Sequence, residues 1–437
     1  MPSIFTRRAQ GAHVPHNKNT AGKATEKMPL PAKIILPMQQ HIGAPCAPVV
    51  QKGDTVYVGS VVGKAGGFVS ADIHSGVSGT VDGIETLRFP NGALVSSVVI
   101  IPDGAQTPDP ELKAPVVTDA KGLIEAAQKC GLVGLGGAGF PTAVKFSPKN
   151  PEAVDTLVIN GAECEPYITA DNREFLECSD TVISGIAAVK KYLNLKKVVI
   201  GIERNKPEAI DMMFSLTNGD ADYKVMPLDS LYPQGAEKVL IEKCTGREVP
   251  RGGLPADAGV IVMNVTTVST LGKYLKTGMP LTTKRLTIDG SCVNEAKNVE
   301  VIIGTPIIDV LNFCGGVKDE VGKIIMGGPM MGTAVLSADF PIIKQNNAIL
   351  AFNEKEAKLA EPTPCVRCGR CLNACPMGLS PVEIVSAFEK NDVEDLNALM
   401  TDLCIGCGTC SFVCPAKRPL AQTMSLAKIA QRNGGKK

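Results

Sequence analysis

The sequence predicts a multidomain protein mixing α/β and α+β architecture, and three observations carry that prediction. Between residues 114 and 280, apolar runs alternate with helix-like stretches, the pattern of βαβ units on a largely parallel sheet. Residues 31–113 and 281–352 are instead rich in glycine and short Val/Ile runs, as β-modules are. Eight of the 15 cysteines fall between Cys365 and Cys414, marking a separate C-terminal unit. At about 150 residues per domain, a chain of this length holds roughly three domains or more.

Composition removes several function classes. Lys+Arg number 45 and Asp+Glu 44, so the net charge is +1 and a strongly basic nucleic-acid binder is excluded. Aromatics are only 4% and Trp is absent, so base-stacking surfaces are not expected and no nucleic-acid partner is predicted. No run approaches the roughly 18 apolar residues of a spanning helix, and the opening MPSIFTRRAQ lacks a signal-peptide core. The expectation is an unexported chain that meets a membrane only through partners. In such a chain a disulfide framework is improbable and thiolate metal ligands are the better reading of the cysteines.

The elements follow in order. Residues 1–30 are polar and aperiodic and are read as an extended, loosely held arm, with His13 and His16 solvated. Residues 31–113 carry strand-like runs at Lys33–Leu36, Thr55–Val58 and Ser97–Ile101. Their glycine-punctuated middle resembles the barrel-sandwich fold of biotinyl and lipoyl carriers. The hairpin region 66–73 has no attachment lysine and Lys64 precedes it, so a structural role is expected.

Residues 114–280 place helices at Ala120–Cys130, Asp180–Leu193 and Pro207–Leu216, and strands at Thr156–Asn160, Lys197–Ile202 and Val260–Val265. Asn205 is read as the cap of the third helix. Residues 281–352 place strands at Leu286–Asp289, Val299–Ile303 and Lys323–Met326 and a helix near Ile307–Phe313, and resemble a small β-grasp module. The GGPMMG loop at 327–332 is read as packing. Residues 353–437 open on a charged linker and continue as the cysteine-rich domain, with a frayed end past Gln431.

Two cysteine runs share one spacing: Cys365, Cys368, Cys371 and Cys375 before Pro376, then Cys404, Cys407, Cys410 and Cys414 before Pro415. This is the CxxCxxCxxxCP spacing of bacterial ferredoxins, in which three thiolates wrap one iron–sulfur cube and the fourth serves the other. Cluster one is therefore expected on Cys365, Cys368, Cys371 and Cys414, and cluster two on Cys404, Cys407, Cys410 and Cys375. Zinc sites use paired CxxC motifs across a spacer instead. Between the runs, Ser380–Glu383 reads as a capping-box helix start with Ile384, Val385 and Phe388 buried. The remaining seven cysteines show no ligand spacing and are read as small buried hydrophobes.

Four further stretches sit where an open α/β sheet binds ligands. The first is Gly134–Thr142, whose glycines let backbone N–H groups converge on a phosphate, with Lys145 as a nearby cation. The second is Asn160–Pro166, including Glu163, Cys164 and Glu165 at a strand end. The third is Gly235–Lys238 and the fourth Val262–Thr267.

In this order the four stretches resemble the flavin- and NADH-binding subunit of respiratory complex I. Over residues 30–420 the chain resembles the RnfC family, the C subunits of Rnf ion-translocating ferredoxin:NAD+ oxidoreductases. The resemblance implies an N-terminal barrel-sandwich module, a Rossmann-like FMN/NADH domain, a β-grasp (SLBB-like) module and a C-terminal two-cluster ferredoxin-like domain. It implies FMN, NAD(H) and two [4Fe–4S] clusters as cofactors. Gly134, Gly136, Gly137 and Gly139 would cradle the flavin phosphate beside Lys145. Asn160 and Asn264 would hydrogen-bond the flavin, with Thr267 near its phosphate. Phe140 would stack on the nucleotide adenine, and Glu165 and Glu237 would position its ribose; Glu163 and Gly235 are further expected cofactor-binding residues. This chain departs from the complex I motifs at Leu135, Ala162, Cys164, Met263 and Thr266.

The implied function is electron transfer between the clusters and NAD+ through FMN, with Na+ or H+ pumping in partner subunits. The implied partners are membrane subunits and a ferredoxin-type subunit, and the implied place is the cytoplasmic face of the cell membrane. A flavin- and cluster-containing cobalamin reductase and a non-catalytic polyferredoxin relay are the alternatives.

Overall fold

The computed structural model describes residues 11–318 and 320–434. Residues 31–113 form two small antiparallel sheets. One runs in the order Ile34–Pro37, Leu94–Pro102, Gly79–Arg88, Thr55–Val56, and the other Ala47–Pro48, Val61–Lys64, Ile73–His74. The longest strand, Gly79–Arg88, is not foreseen from the sequence, because its outer half is polar and solvent-facing. Its hairpin partner supplies the apolar face, with Val98, Val99 and Ile100 buried. Lys64 ion-pairs with buried Asp72 at 2.6 Å, which suits a structural module.

The α/β domain is a four-stranded, fully parallel sheet ordered Tyr223–Leu228, Lys197–Glu203, Thr156–Gly161, Val260–Asn264. Numbered by sequence, that is 3-2-1-4. The strand order reverses between the first and fourth strands, the topological switch point where open α/β sheets bind ligands. The central strands are unbroken apolar runs because helices cover both faces. Ala120–Lys129, Ser179–Tyr192 and Pro207–Thr217 match the expected helices within a residue or two. Ala170–Glu177, Glu237–Thr245 and Val265–Thr277 are additional. Asn205 does not cap the third helix: Lys206 precedes it without a side-chain cap, and the Asn205 amide is turned to Glu203.

One apolar core runs from Ile34 and Val98 of the sandwich through Leu123 to Ile159 and Val268 of the α/β domain. The sandwich is thus packed into the α/β domain as one body. The β-grasp module has its own core around Leu286, Val299, Val310 and Ile349. Its sheet runs Thr25–Lys27, Lys297–Ile302, Thr283–Asp289, Ala348–Asn353, Val321–Met326, Thr333–Ala334. The helix Ile307–Phe313 lies where expected.

The first strand of that sheet corrects the reading of the N-terminal arm. Its residues 1–10 lie outside the described residues, but from Gly11 onward the arm is docked. Ala12 bridges Tyr232, and the His16 carbonyl accepts from Tyr167 N. Lys18 sends its ammonium to the carbonyls of Glu163, Glu165 and Ile168 at 2.6–2.8 Å. Thr20 is fully buried, and Thr25–Lys27 pairs in parallel with the strand Lys297–Ile302. Aperiodic polar sequence is misleading here because the arm satisfies itself through backbone and long-range polar contacts, which leave no hydrophobic period. His13 and His16 are exposed, as expected.

In the C-terminal domain the helix Pro381–Glu389 buries Ile384 and Val385 against Leu420–Arg432, a helix that carries the fold past Gln431. Ser380 makes no side-chain cap bond, so the expected capping box is not formed. Residues 435–437 lie outside the described residues.

Candidate functional site

The switch point is built from asparagines. Asn160 is the penultimate residue of the first strand and Asn264 the last of the fourth, and they are register partners. Asn264 also caps the helix Val265–Thr277, accepting from Thr266 N and Thr267 N. Its amide donates to Asp171 Oδ2 at 2.7 Å, and Thr266 donates to Asp171 Oδ1 at 2.8 Å. Asn160 donates to the Gly235 carbonyl at 2.9 Å and accepts from Ala162 N. Four separated parts of the chain, around residues 160, 171, 235 and 264, are thereby tied together at the sheet edge.

The glycine loop closes over this edge. Its ends are pinned by Gly134 N donating to Phe140 O. Gly136, Gly137 and Ala138 between them are exposed. The loop is held from beneath by two contacts: Leu135 N donates to Thr267 Oγ1 at 2.9 Å, and Lys284 Nζ donates to Leu135 O at 3.1 Å. At Gly136 a β-carbon would stand 2.5 Å from Asn264 Nδ2, so only glycine lets the loop approach this closely. Gly139 has a positive φ, and a β-carbon there would stand 2.9 Å from Gln345 Oε1. Buried Thr142 Oγ1, Asn172 Oδ1 and Gln345 Oε1 have no hydrogen-bond partner among the described residues. An open glycine loop whose closest approach excludes a side chain, beside unpaired buried polar atoms, fits a phosphorylated polar ligand such as FMN.

The expected acids are not all free to meet a nucleotide. Glu163 caps the helix Ala170–Glu177, its carboxylate accepting from Asp171 N and Asn172 N, and burial raises its pKa. Both oxygens of Glu165 are taken by Met330 N and Met331 N, and burial raises this pKa too. The GGPMMG loop therefore has a specific partner, since a β-carbon at Gly328 would fall 2.3 Å from Glu165 Oε2. Lys145 pairs with Glu237 at 2.9 Å and also donates to Val262 O. Phe140, partly exposed, and the Lys145–Glu237 pair remain available beside the loop.

Asp171 and Lys284 were missed by sequence reasoning. Neither sits in a glycine or cysteine motif. Lys284 comes from the β-grasp strand Thr283–Asp289 and is buried, which pulls its pKa down to about 8. A lone lysine among strand residues gives no sequence signal for a loop 149 residues earlier.

The structure sorts the eight cysteines into two groups. Cys365, Cys368, Cys371 and Cys414 border one cavity, with Arg367 and Arg418 at its rim. Cys375 faces Cys404 and Cys407, and Cys410 faces all three. Each group takes three thiols from one run and the fourth from the other. Among the described residues no set of three His, Cys, Asp or Glu is placed to hold a lone metal ion. Burial pushes the Cys371, Cys375 and Cys404 thiols up and Cys410 up to about 12. Iron bound there would supply the countercharge that makes thiolates of them. Two four-thiol cradles on helix–turn loops, each with at least one buried cysteine, fit cubane clusters.

One group faces the α/β domain. Tyr232, 2% exposed, donates its hydroxyl to the carbonyl of Cys407 at 2.6 Å. Around it pack Val14, Cys164, Met330 and Ile405, so the arm, the sheet edge, the β-grasp loop and the cysteine loop meet at one point. Arg251 adds a two-bond ion pair to Asp402. In the other group Cys371 and Cys414 are buried and Cys368 is exposed.

This architecture defines a class: an electron-transfer protein that combines a flavin-type nucleotide domain with a two-cluster ferredoxin-like domain. Residues 127–273 match the Nuo51 FMN-binding domain, 6–105 the RnfC barrel sandwich hybrid domain, 285–334 the SLBB domain and 364–418 the 4Fe-4S dicluster domain. The chain is 42% identical to the C subunit of the Na(+)-translocating ferredoxin:NAD(+) oxidoreductase complex of Acetobacterium woodii, over 97% of this chain and 98% of that one. It is 43% identical to the proton-translocating counterpart from Clostridium ljungdahlii, over 88% of this chain and 84% of that one. The protein belongs to the family of C subunits of ion-translocating ferredoxin:NAD+ oxidoreductase complexes. In fold alone it is similar to a chain of an NAD+-reducing [NiFe]-hydrogenase in the H2-reduced state. That likeness has a TM-score of 0.50 and 16% identity, and covers 73% of this chain and 63% of the other.

Proposed function

We propose that the protein is the electron-transfer subunit of an Rnf-type complex, acting as ferredoxin:NAD+ oxidoreductase together with ion-translocating partner subunits. The observation that carries the reading is the joining of a glycine-loop switch-point site to two four-cysteine cradles in one chain, through Tyr232 and Cys407. Bound flavin would supply what neither neighbour can alone, exchanging electron pairs as hydride with a nicotinamide and single electrons with iron–sulfur clusters.

The chain's own residues set the stage for that chemistry. Gly134, Gly136, Gly137 and Gly139 would hold the flavin phosphate, with Lys284 supplying positive charge behind Leu135. Asn160 and Asn264 would orient the ring, the latter fixed by Asp171. Phe140 and Glu237, with Lys145, would receive the nicotinamide nucleotide, while Glu165 acts by holding the Met330 loop. The cysteines would ligate iron as grouped above. No helix among the described residues is long and apolar enough to cross a membrane. Attachment at the cytoplasmic face of the cell membrane would come from membrane subunits, with a ferredoxin-type subunit as neighbour.

The test is anaerobic reconstitution with iron, sulfide and FMN. NADH should bleach the flavin absorbance at once. A yellow, iron-loaded protein that does not respond to NADH would overturn the reading.

A further inference from the structure

The two cysteine runs are alike in spacing but not in what stands between their second and third cysteines. The first run reads Cys368-Gly369-Arg370-Cys371 and the second Cys407-Gly408-Thr409-Cys410. Arg370 is exposed, whereas Thr409 is fully buried. Thr409 Oγ1 lies 3.2 Å from the Cys407 sulfur, its one hydrogen-bond partner among the described residues.

The local backbone fixes that contact. Gly408 sits in the left-handed region at φ 81°, and a β-carbon there would stand 2.8 Å from the Met330 carbonyl. The chain therefore turns sharply under the β-grasp loop, and the helix Thr409–Phe412 starts with the Thr409 hydroxyl turned back to Cys407. A β-branched side chain has few χ1 wells, which keeps the hydroxyl in place. Cys407 is itself buried, its carbonyl accepts from Tyr232, and Cys164 of the sheet edge packs in the same cluster. The sulfur that Thr409 meets thus belongs to a cysteine at the junction with the α/β domain.

A thiol can donate or accept in such a bond, but a thiolate can only accept. Once iron is bound, the proton in the bond is therefore the threonine's. A cube held by four thiolates is negatively charged, and that charge grows by one on reduction. A donor on a ligand sulfur favours the more charged, reduced form and raises the reduction potential, the more so where burial removes screening by water. We propose that Thr409 tunes the cluster held by Cys404, Cys407, Cys410 and Cys375, its hydroxyl raising that cluster's reduction potential through the Cys407 sulfur. The proposal rests on the function proposed above and adds a residue that sets the energy of the electron step beside the flavin domain. In that step the cluster gains or loses one electron, its exchange partner being the flavin or the neighbouring cluster, and no bond or proton changes hands.

The test is a redox titration of the iron- and FMN-loaded chain with dithionite, both clusters being followed by electron paramagnetic resonance. Thr409→Val removes the hydroxyl and keeps the shape. One cluster's reduction equilibrium should fall by about threefold to tenfold, a tenfold change being about 59 mV for one electron, with iron content unchanged. The other cluster should keep its potential. Thr409→Ser restores the donor and should keep the wild-type value. In a Cys368→Ser background, which leaves only the cluster on Cys404, Cys407, Cys410 and Cys375, the shift should persist. Equal potentials in wild type and Thr409→Val, or a serine variant shifted as far as the valine one, would overturn the proposal. So would a shift that vanishes with Cys368→Ser. If the valine variant loses iron, Thr409→Ala takes its place; loss of the cluster in both would make the bond purely structural and overturn the proposal too. No NADH enters the titration, so a protein that ignores NADH sinks the proposed function while the potentials still decide the role of Thr409.

Discussion

The ferredoxin-like domain and the glycine-loop site hold their ligands in opposite ways. All eight cysteines come from a 50-residue stretch, Cys365–Cys414, and each cradle is completed by one thiol from the neighbouring run. The glycine loop is instead held by Thr267 and Lys284 below, Asn264 and Asp171 beside it, and Gln345 at Gly139. Those residues come from two domains. A local site depends on spacing, whereas an assembled site depends on the domains staying packed. The first should therefore fail one group at a time, and the second should loosen by degrees.

The largest effect tests the local site. Cys368→Ser should remove about half of the iron, since each cradle holds its own cube, while flavin per chain stays constant. Unchanged iron would mean that the grouping is wrong. Gly136→Ala comes next: the added β-carbon meets Asn264, and FMN affinity should fall by about tenfold or more, at least about 1.4 kcal/mol, with iron retained. If FMN titration shows no loss, the loop does not hold the phosphate.

Asp171→Ala leaves Asn264 and Thr266 without their shared acceptor. It should cost about 2 kcal/mol, read as a lower urea midpoint, with flavin loosened in parallel. A change in pH sharpens the assembled site further. Lys284 is cationic below its lowered pKa of about 8 and neutral above it. Flavin affinity should therefore decline as pH rises past that value, and Lys284→Met should be weak throughout with no such decline. The smallest effect concerns the junction. Tyr232→Phe deletes one buried donor and should cost about 1 kcal/mol, measured by chemical denaturation, with iron and flavin contents both intact.

The legibility of the two regions differs for the same reason. The cysteine grouping could be read from spacing because the ligands are neighbours in sequence. The strands carrying Asn160 and Asn264 were legible because a parallel strand covered on both faces is an unbroken apolar run. Val265–Thr277 was hidden because its polar first turn, Val265-Thr266-Thr267, reads as a strand end until Asn264 is recognised as its cap. The roles of Asp171, Lys284 and the Met330 loop were illegible because each depends on a contact made across more than 90 residues of chain. Glu165 shows the converse: its motif and the β-grasp module were both visible, but the contact by which the Met330 loop occupies its carboxylate was not.

The docked arm also sets the order in which the molecule can be completed during its own synthesis. Thr25–Lys27 leaves the ribosome early, but its neighbour Lys297–Ile302 follows some 270 residues later, the separation that the Asn19–Asp289 bond records. At about 5–20 residues per second, those first residues wait roughly 15–50 s before the strand they belong beside exists. Until then Lys18 and Thr20 are held only by the nucleotide domain, and the β-grasp sheet closes only after Ala348–Asn353 has followed, with the arm fastened across it as a seam.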